Sequence, residues 1–127
     1  MLILLALTSG GMLLAPIIKR GAGGSVSVSE AVRLINREKG VLIDVCEATE
    51  FATGHAAGAR NVPLSRLKGA KELPTNKALP LLLMCASGGR ANRAAAQLRS
   101  AGFEKAVAVA GGNAAWRDAS LPIEKSA

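Results

Sequence analysis

The residues best suited to covalent chemistry form one short segment, which reads Cys85, Ala86, Ser87, Gly88, Gly89 and Arg90. A cysteine thiolate is a strong nucleophile, and two glycines allow successive backbone N–H groups to point at one atom. A helical pattern follows, so the start of a helix would add unpaired N–H groups there. Such a loop would stabilise a thiolate, a persulfide or a small anion. The alternative is a buried, inert cysteine beside an ordinary glycine turn.

A second cysteine and an aspartate lie at the end of an apolar run earlier in the chain. Residues 41–45 read VLIDV, with Asp44 inside the run and Cys46 directly after it. In open parallel sheets, functional sites lie beyond the carboxyl ends of the strands. Cys46 and Cys85 each follow a predicted strand, so both are candidates for the edge of a site. We expect Asp44 to accept loop or helix N–H groups, with direct site contact as the alternative.

Buried strands and amphipathic helices alternate along the chain and would position these side chains. Apolar runs at residues 41–45, 80–84 and 106–110 predict buried parallel strands, and residues 60–62 predict a brief one. Helical patterns begin at the capping pair Ser27 and Glu30 and recur at residues 47–53, 64–69, 90–101 and 113–119. This alternation predicts an α/β fold with helices on both faces of a parallel sheet.

Composition limits the classes of function. The chain has 127 residues, a net charge of +7 and only 2% aromatic residues. Nucleic-acid binding is disfavoured because few rings could stack on bases and the basic residues are dispersed. One histidine and two cysteines provide no metal-site spacing, and two cysteines are too few for a disulfide framework. They are typical of free thiols in a reducing compartment.

The N-terminal segment predicts membrane association. Residues 1–18 carry no charged side chain, and Lys19 and Arg20 follow. A helix of that length spans roughly 27 Å, close to a bilayer core. The flanking charges would place the remaining chain in the cytoplasm, for example at a bacterial inner membrane. We predict an anchor at residues 1–20, a glycine-rich linker at 21–25 and a domain at 26–124. A signal peptide or a helix of a soluble cytoplasmic protein are the alternatives.

Four segments in sequence order resemble the rhodanese family. They are residues 42–45 (LIDV), 54–64 (GHAAGARNVPL), 85–90 (CASGGR, of the form Cys-x-x-Gly-x-Arg) and 111–116 (GGNAAW) with 121–122 (LP). The likeness extends over residues 27–123. It implies a three-layer rhodanese-like fold whose central, mostly parallel sheet has about five strands.

The resemblance also implies an activity, namely sulfur transfer with Cys85 as the nucleophile. Cys85 would take sulfane sulfur as a persulfide, and the amides of residues 86–90 would hold it. A small donor, thiosulfate or a persulfide, would be followed by a thiol or protein acceptor in a ping-pong cycle, with no metal or organic cofactor. Related cysteine phosphatases place arginine one position later, where this chain has Ala91.

Other functions remain open at this point. The fold implied by the resemblance would bring Cys46 near Cys85, so the two could form a resolving or redox pair. Cys46 could equally be a small apolar filler. A non-catalytic, partner-binding module at the membrane is a further alternative. Because Arg90 is the only cation of the loop and Glu50 lies in the helix after Cys46, thiosulfate is no more favoured than a persulfide as donor.

Overall fold

The structure is a computed structural model that describes residues 25–86 and 89–125. Strands and helices alternate along the described chain. The elements are β1 (Ser25–Val26), α1 (Val28–Glu38), β2 (Val41–Asp44), α2 (Ala48–Thr53), β3 (His55–Ala56), β4 (Arg60–Asn61), a 3₁₀ turn (Leu64–Arg66), β5 (Leu81–Met84), α3 (Gly89–Ser100), β6 (Ala106–Val109), α4 (Gly112–Asp118) and β7 (Ile123–Glu124).

Five of these strands form one parallel sheet, in the order β1-β6-β5-β2-β4. All four residues of the central strand β5 are buried, and so are those of β6. This burial explains why both strands appear in the sequence as continuous apolar runs. The predicted sheet of about five parallel strands is confirmed.

Helices cover both faces of the sheet. On one face, α3 packs its buried residues against Leu81 and Leu83 of β5. On the other face, Leu82 and Met84 pack with residues of α1 and with Trp116 of α4. Side chains that alternate along β5 therefore belong to two separate cores. The three-layer arrangement expected from the resemblance is confirmed within the described residues.

The first helix follows its sequence signals closely. The Ser27 hydroxyl accepts the Glu30 N–H at 3.1 Å, as the capping pair predicts. At the other end, Lys39 takes the left-handed conformation with φ of 60°, and the Gly40 N–H donates to the Leu34 carbonyl. A Cβ at Gly40 would lie 2.7 Å from Leu82 Cδ2. Gly40 therefore allows close packing on β5, while Lys39 makes the terminating turn.

Two short pairings differ from the sequence prediction. Ser25, which was expected in the linker, belongs to β1 and pairs with Ala108 of β6. After the last predicted helix, residues 123–124 form β7, which pairs antiparallel with β3. A strand of two residues carries no periodic signal, so β1, β3 and β7 were not predicted, whereas β4 lies inside the brief strand predicted at residues 60–62.

The anchor predicted at residues 1–20 lies outside the described residues, as does nearly all of the predicted linker. Within residues 25–86 and 89–125, no helix has the length and apolar character needed to cross a bilayer.

Candidate functional site

Cys85 follows β5 directly, at the carboxyl end of the central strand, and is only 1% exposed. Its Sγ lies 3.4 Å from the backbone nitrogen of Ala91, in the first turn of α3. The predicted geometry, a cysteine between a strand end and a helix start, is thus present. Of the predicted loop residues, Ala86, Gly89 and Arg90 are described, whereas Ser87 and Gly88 lie outside the described residues.

Arg90 forms a two-pronged ion pair with Glu50 of α2. Its Nη1 and Nη2 lie 2.7 and 3.0 Å from the two carboxylate oxygens. Glu50 Oε1 also accepts the Glu47 N–H at 3.1 Å, which completes a capping box at the start of α2. The hydrogen bond from Arg90 holds the pKa of Glu50 at about 2, and the same bond raises the pKa of Arg90. The loop's cation is therefore balanced by a fixed carboxylate.

Cys46 is 3% exposed, and its backbone N–H donates to Asp44 Oδ1 at 2.8 Å. Burial, followed by the negative charge of Asp44, raises the pKa of the Cys46 thiol to about 12. Cys46 is consequently protonated at neutral pH and a poor nucleophile. Cys46 and Cys85 are not joined by a disulfide in the structure, and their pairing stays a prediction.

Asp44 is fully buried at the end of β2 and accepts two hydrogen bonds with its carboxylate. Oδ1 takes the Cys46 N–H, and Oδ2 takes the side-chain amide of Asn113 at 3.0 Å. The side chain of Asn61 donates to the backbone carbonyls of Asp44 and Cys46, at 3.1 and 2.9 Å. The expectation that Asp44 accepts loop and helix donors is confirmed for Cys46 and Asn113.

The start of α4 packs directly on the backbone at Cys85. The Asn113 N–H donates to the Cys85 carbonyl at 2.8 Å, and the Ala114 N–H donates to the Ala86 carbonyl at 3.3 Å. Gly112 has a positive φ of 53°, and a Cβ there would overlap the Cys85 carbonyl oxygen. The sequence patterns predicted a helix at residues 113–119 but not this contact. The signal available was the GGN motif itself, two glycines followed by a buried amide.

His55 lies in β3. Its Nδ1 lies 2.7 Å from the Phe51 carbonyl, and its ring stacks on Phe51 with 3.6 Å between centroids. These contacts hold α2 against β3, so His55 has a structural role. No group of three histidine, cysteine or acidic residues that could hold a metal ion occurs among the described residues.

Comparisons with known proteins agree with this arrangement. The chain is 41% identical over 86 residues to an uncharacterized protein of Synechocystis, a match covering 68% of this chain and 48% of that protein. It is 36% identical over 112 residues to thiosulfate sulfurtransferase 18 of Arabidopsis thaliana, covering 78% and 82% of the two chains. The chain therefore spans about half the length of the cyanobacterial relative.

Solved structures and a family model cover the same domain. The human single-domain sulfurtransferase TSTD1 superposes with a TM-score of 0.68 at 28% identity, covering 77% of this chain and 97% of that one. The sequence model of the rhodanese-like domain matches residues 27–119, which include both cysteines and the start of α4. On this combined evidence of sequence, sheet topology and structural likeness, the chain belongs to the rhodanese-like domain family.

Proposed function

We propose that this protein is a sulfurtransferase that carries sulfane sulfur as a persulfide on Cys85 and passes it to a nucleophilic acceptor. The observation that carries the proposal is the position of Cys85 Sγ at the carboxyl end of β5, 3.4 Å from the Ala91 N–H at the start of α3. A sulfur there receives a backbone donor and the positive end of a helix, both of which favour a negative charge. The names of the Arabidopsis and human relatives support the same reaction class.

The reaction would proceed in two displacement steps. The Cys85 thiolate attacks the sulfane sulfur of a donor, the donor's bond to that sulfur breaks, and the electron pair leaves with the donor. The persulfide then presents its outer sulfur to an acceptor thiolate, whose attack regenerates the Cys85 thiolate. Sulfur passes as a neutral atom, so the cycle consumes no oxidant or reductant. Backbone amides of residues 86–90 would hold the charged outer sulfur between the steps.

The surrounding contacts suit a site that must not shift during this cycle. Asn113 fixes the Cys85 carbonyl through its backbone N–H and binds the buried carboxylate of Asp44 through its side chain. The thiol is almost closed to solvent. A persulfide formed there would be protected from bulk water and from unselective thiols, which is useful for a carrier that hands its sulfur to a chosen acceptor.

Intact-mass analysis tests the proposal. The full chain is incubated with a sulfane-sulfur donor, and its mass is recorded before and after addition of a thiol acceptor. We expect a gain of one sulfur atom that the acceptor removes, and no gain in Cys85→Ser. Cys46→Ser serves as the matched control and should still gain sulfur. An unchanged mass in the natural chain would favour the non-catalytic binding module.

A dithiol redox function is the second candidate that the same experiment addresses. It requires the Cys46 thiolate to attack the inner sulfur of the Cys85 persulfide, which forms a Cys46–Cys85 disulfide and releases hydrosulfide. The mass would then be two hydrogen atoms below that of the unmodified dithiol chain. The pKa of about 12 at Cys46 weighs against that role, because almost none of its thiol is ionised at neutral pH.

Membrane anchoring through residues 1–20 remains part of the proposal, with the domain on the cytoplasmic side.

A further inference from the structure

The ion pair between Glu50 and Arg90 sets the charge at the start of α3, next to the N–H of Ala91 that contacts Cys85 Sγ. The two terminal guanidinium nitrogens of Arg90, Nη1 and Nη2, donate to the carboxylate of Glu50 at 2.7 and 3.0 Å. Glu50 is itself held by the Glu47 N–H in the first turn of α2. The Glu50 carboxylate is thus held by two groups, the Arg90 guanidinium and the Glu47 N–H. Separating Glu50 from Arg90 is unfavourable, because charge-assisted hydrogen bonds would be replaced by hydrogen bonds to water.

Arg90 belongs to the same loop as the reactive sulfur. The N–H of its neighbour Ala91 lies 3.4 Å from Cys85 Sγ. Its guanidinium is close enough to Cys46 and Cys85 for a negative charge on either thiol to interact with it. An unpaired arginine here would attract anionic donors to the sulfur, whereas an arginine paired with Glu50 presents almost no net charge.

The remaining charge near the sulfur is also unfavourable to anions. Asp44 is fully buried two residues before Cys46, on the strand that neighbours β5. A small dianion entering a site that is almost closed to solvent would lose hydration, while the guanidinium of Arg90 is already paired with Glu50. A donor with a single charge loses much less hydration.

We propose that Glu50 is a specificity-determining residue that selects donors with little negative charge, such as an organic or protein-bound persulfide, over dianionic thiosulfate. The inference rests on the proposed function of Cys85. It assigns Glu50 a role in the choice of donor and none in bond making, since Glu50 binds the cation that a dianion would need.

Both donors lead to the same enzyme species. With thiosulfate, the Cys85 thiolate bonds to the sulfane sulfur, the S–S bond breaks, and sulfite leaves with the electron pair. With an organic persulfide anion, the thiolate bonds to the terminal sulfur, the S–S bond breaks, and the organic thiolate leaves with the electron pair. The two reactions therefore differ in the charge of the donor, and one assay can compare them.

The test uses Glu50→Gln in the full chain. Glutamine keeps the size of the side chain and can still accept hydrogen bonds from Arg90 and the Glu47 N–H, so the fold should be unchanged. The rate of Cys85 persulfide formation is measured by mass with two probes. These are thiosulfate and the persulfide of N-acetylcysteine methyl ester, whose only charge is on its terminal sulfur.

We expect kcat/KM for thiosulfate to rise about tenfold in Glu50→Gln and that for the persulfide to rise about threefold, because Coulomb energy is proportional to the donor's charge. On a logarithmic scale, the thiosulfate effect should be about twice the persulfide effect. Added salt should reduce both gains. Glu104→Gln is the matched control, since Glu104 is exposed and lies beside the amino end of the sheet, and it should change neither rate.

Equal gains for the two donors, or no gain with thiosulfate, would overturn the inference while leaving the sulfurtransferase proposal intact. The same holds if Glu104→Gln behaves like Glu50→Gln, because the effect would then reflect net charge alone. Failure of Cys85 to take sulfur from either probe in any variant would overturn both proposals. Thermal unfolding of each variant confirms that the compared proteins are folded.

Discussion

Asn113 and Asp44 are 69 residues apart in sequence and share a buried hydrogen bond of 3.0 Å between the amide nitrogen and Oδ2. Asn113 also donates its backbone N–H to the Cys85 carbonyl. One residue at the start of α4 thereby connects the end of β2 to the backbone of the proposed nucleophile. This connection places three separate parts of the chain in a fixed relation.

Replacement of Asn113 by alanine removes the donor from a buried carboxylate. We expect Asn113→Ala to lower the free energy of unfolding by about 1–3 kcal/mol, the usual effect of leaving a buried polar group without its partner. Urea unfolding measures the change. Asn92→Ala, an exposed position on α3, should stay within about 0.5 kcal/mol of the natural chain. Equal effects at the two positions would contradict the importance of the Asp44 contact.

Gly112 allows α4 to approach the cysteine loop, so a side chain there should disturb both folding and sulfur loading. Gly112→Ala places a Cβ against the Cys85 carbonyl and in a left-handed backbone conformation. We expect a loss of about 2–4 kcal/mol of stability from overlap and strain together. Gly58→Ala is the matched control, because Gly58 also has a positive φ but open space around it.

The control should lose only about 1–2 kcal/mol, from backbone strain alone. Urea unfolding compares the two variants, and persulfide formation at Cys85 is measured on whatever fraction of each remains folded. A Gly112→Ala protein as stable as Gly58→Ala would show that the contact with Cys85 tolerates a methyl group.

Cys46 should resist alkylation in the folded protein. Its pKa of about 12, caused first by burial and then by Asp44, leaves almost no thiolate at pH 8. Iodoacetamide should modify it on the order of a thousandfold more slowly than an unperturbed cysteine. Peptide mapping after timed alkylation provides the rates, with the denatured chain as the control in which both cysteines react. Rapid modification of Cys46 in the folded state would revive the dithiol function.

Acid should weaken the connection between α2 and α3. The pKa of Glu50 is lowered to about 2 in the folded protein, mainly by Arg90, and an unfolded glutamate titrates near about 4.3. The stabilising contribution of Glu50 is thus present above about pH 4.3 and is lost as the pH falls towards about 2. Thermal unfolding of the natural chain and Glu50→Gln from pH 6 to pH 2 should show two curves that converge in acid.

The difference in stability between the two proteins should be small even at pH 6, because the side chains of Glu50 and Arg90 are partly exposed to solvent. A difference between the two proteins that stays constant or grows with acidification would contradict the lowered pKa.

The apolar N-terminus is tested by cell fractionation. If residues 1–20 form an anchor, the full chain should remain with membranes after a high-salt wash, whereas a chain beginning at residue 21 should be released. Detergent extraction of the full chain is the positive control. Release of the full chain by salt alone would indicate a surface association instead.

Local signals along the chain were sufficient to predict the main elements. The apolar runs that became β2, β5 and β6 are continuous because these strands are buried in the sheet, and burial of that kind is visible without any partner. The position of Cys85 between a strand and a helix follows from the same patterns. The two-residue strands β1, β3 and β7 were missed, because so short a segment is defined mainly by what it pairs with, although the equally short β4 was predicted.

Sequence alone determined which residue could be the nucleophile, the order of the strands and helices around it, and the family to which the chain belongs. Only the tertiary structure decided which side chains meet at that nucleophile. Arg90 pairs with Glu50 across 40 residues, and Asp44 receives Asn113 across 69. Such partners are selected by strand register and helix packing, which are properties of the whole fold and leave no periodic trace in the local sequence.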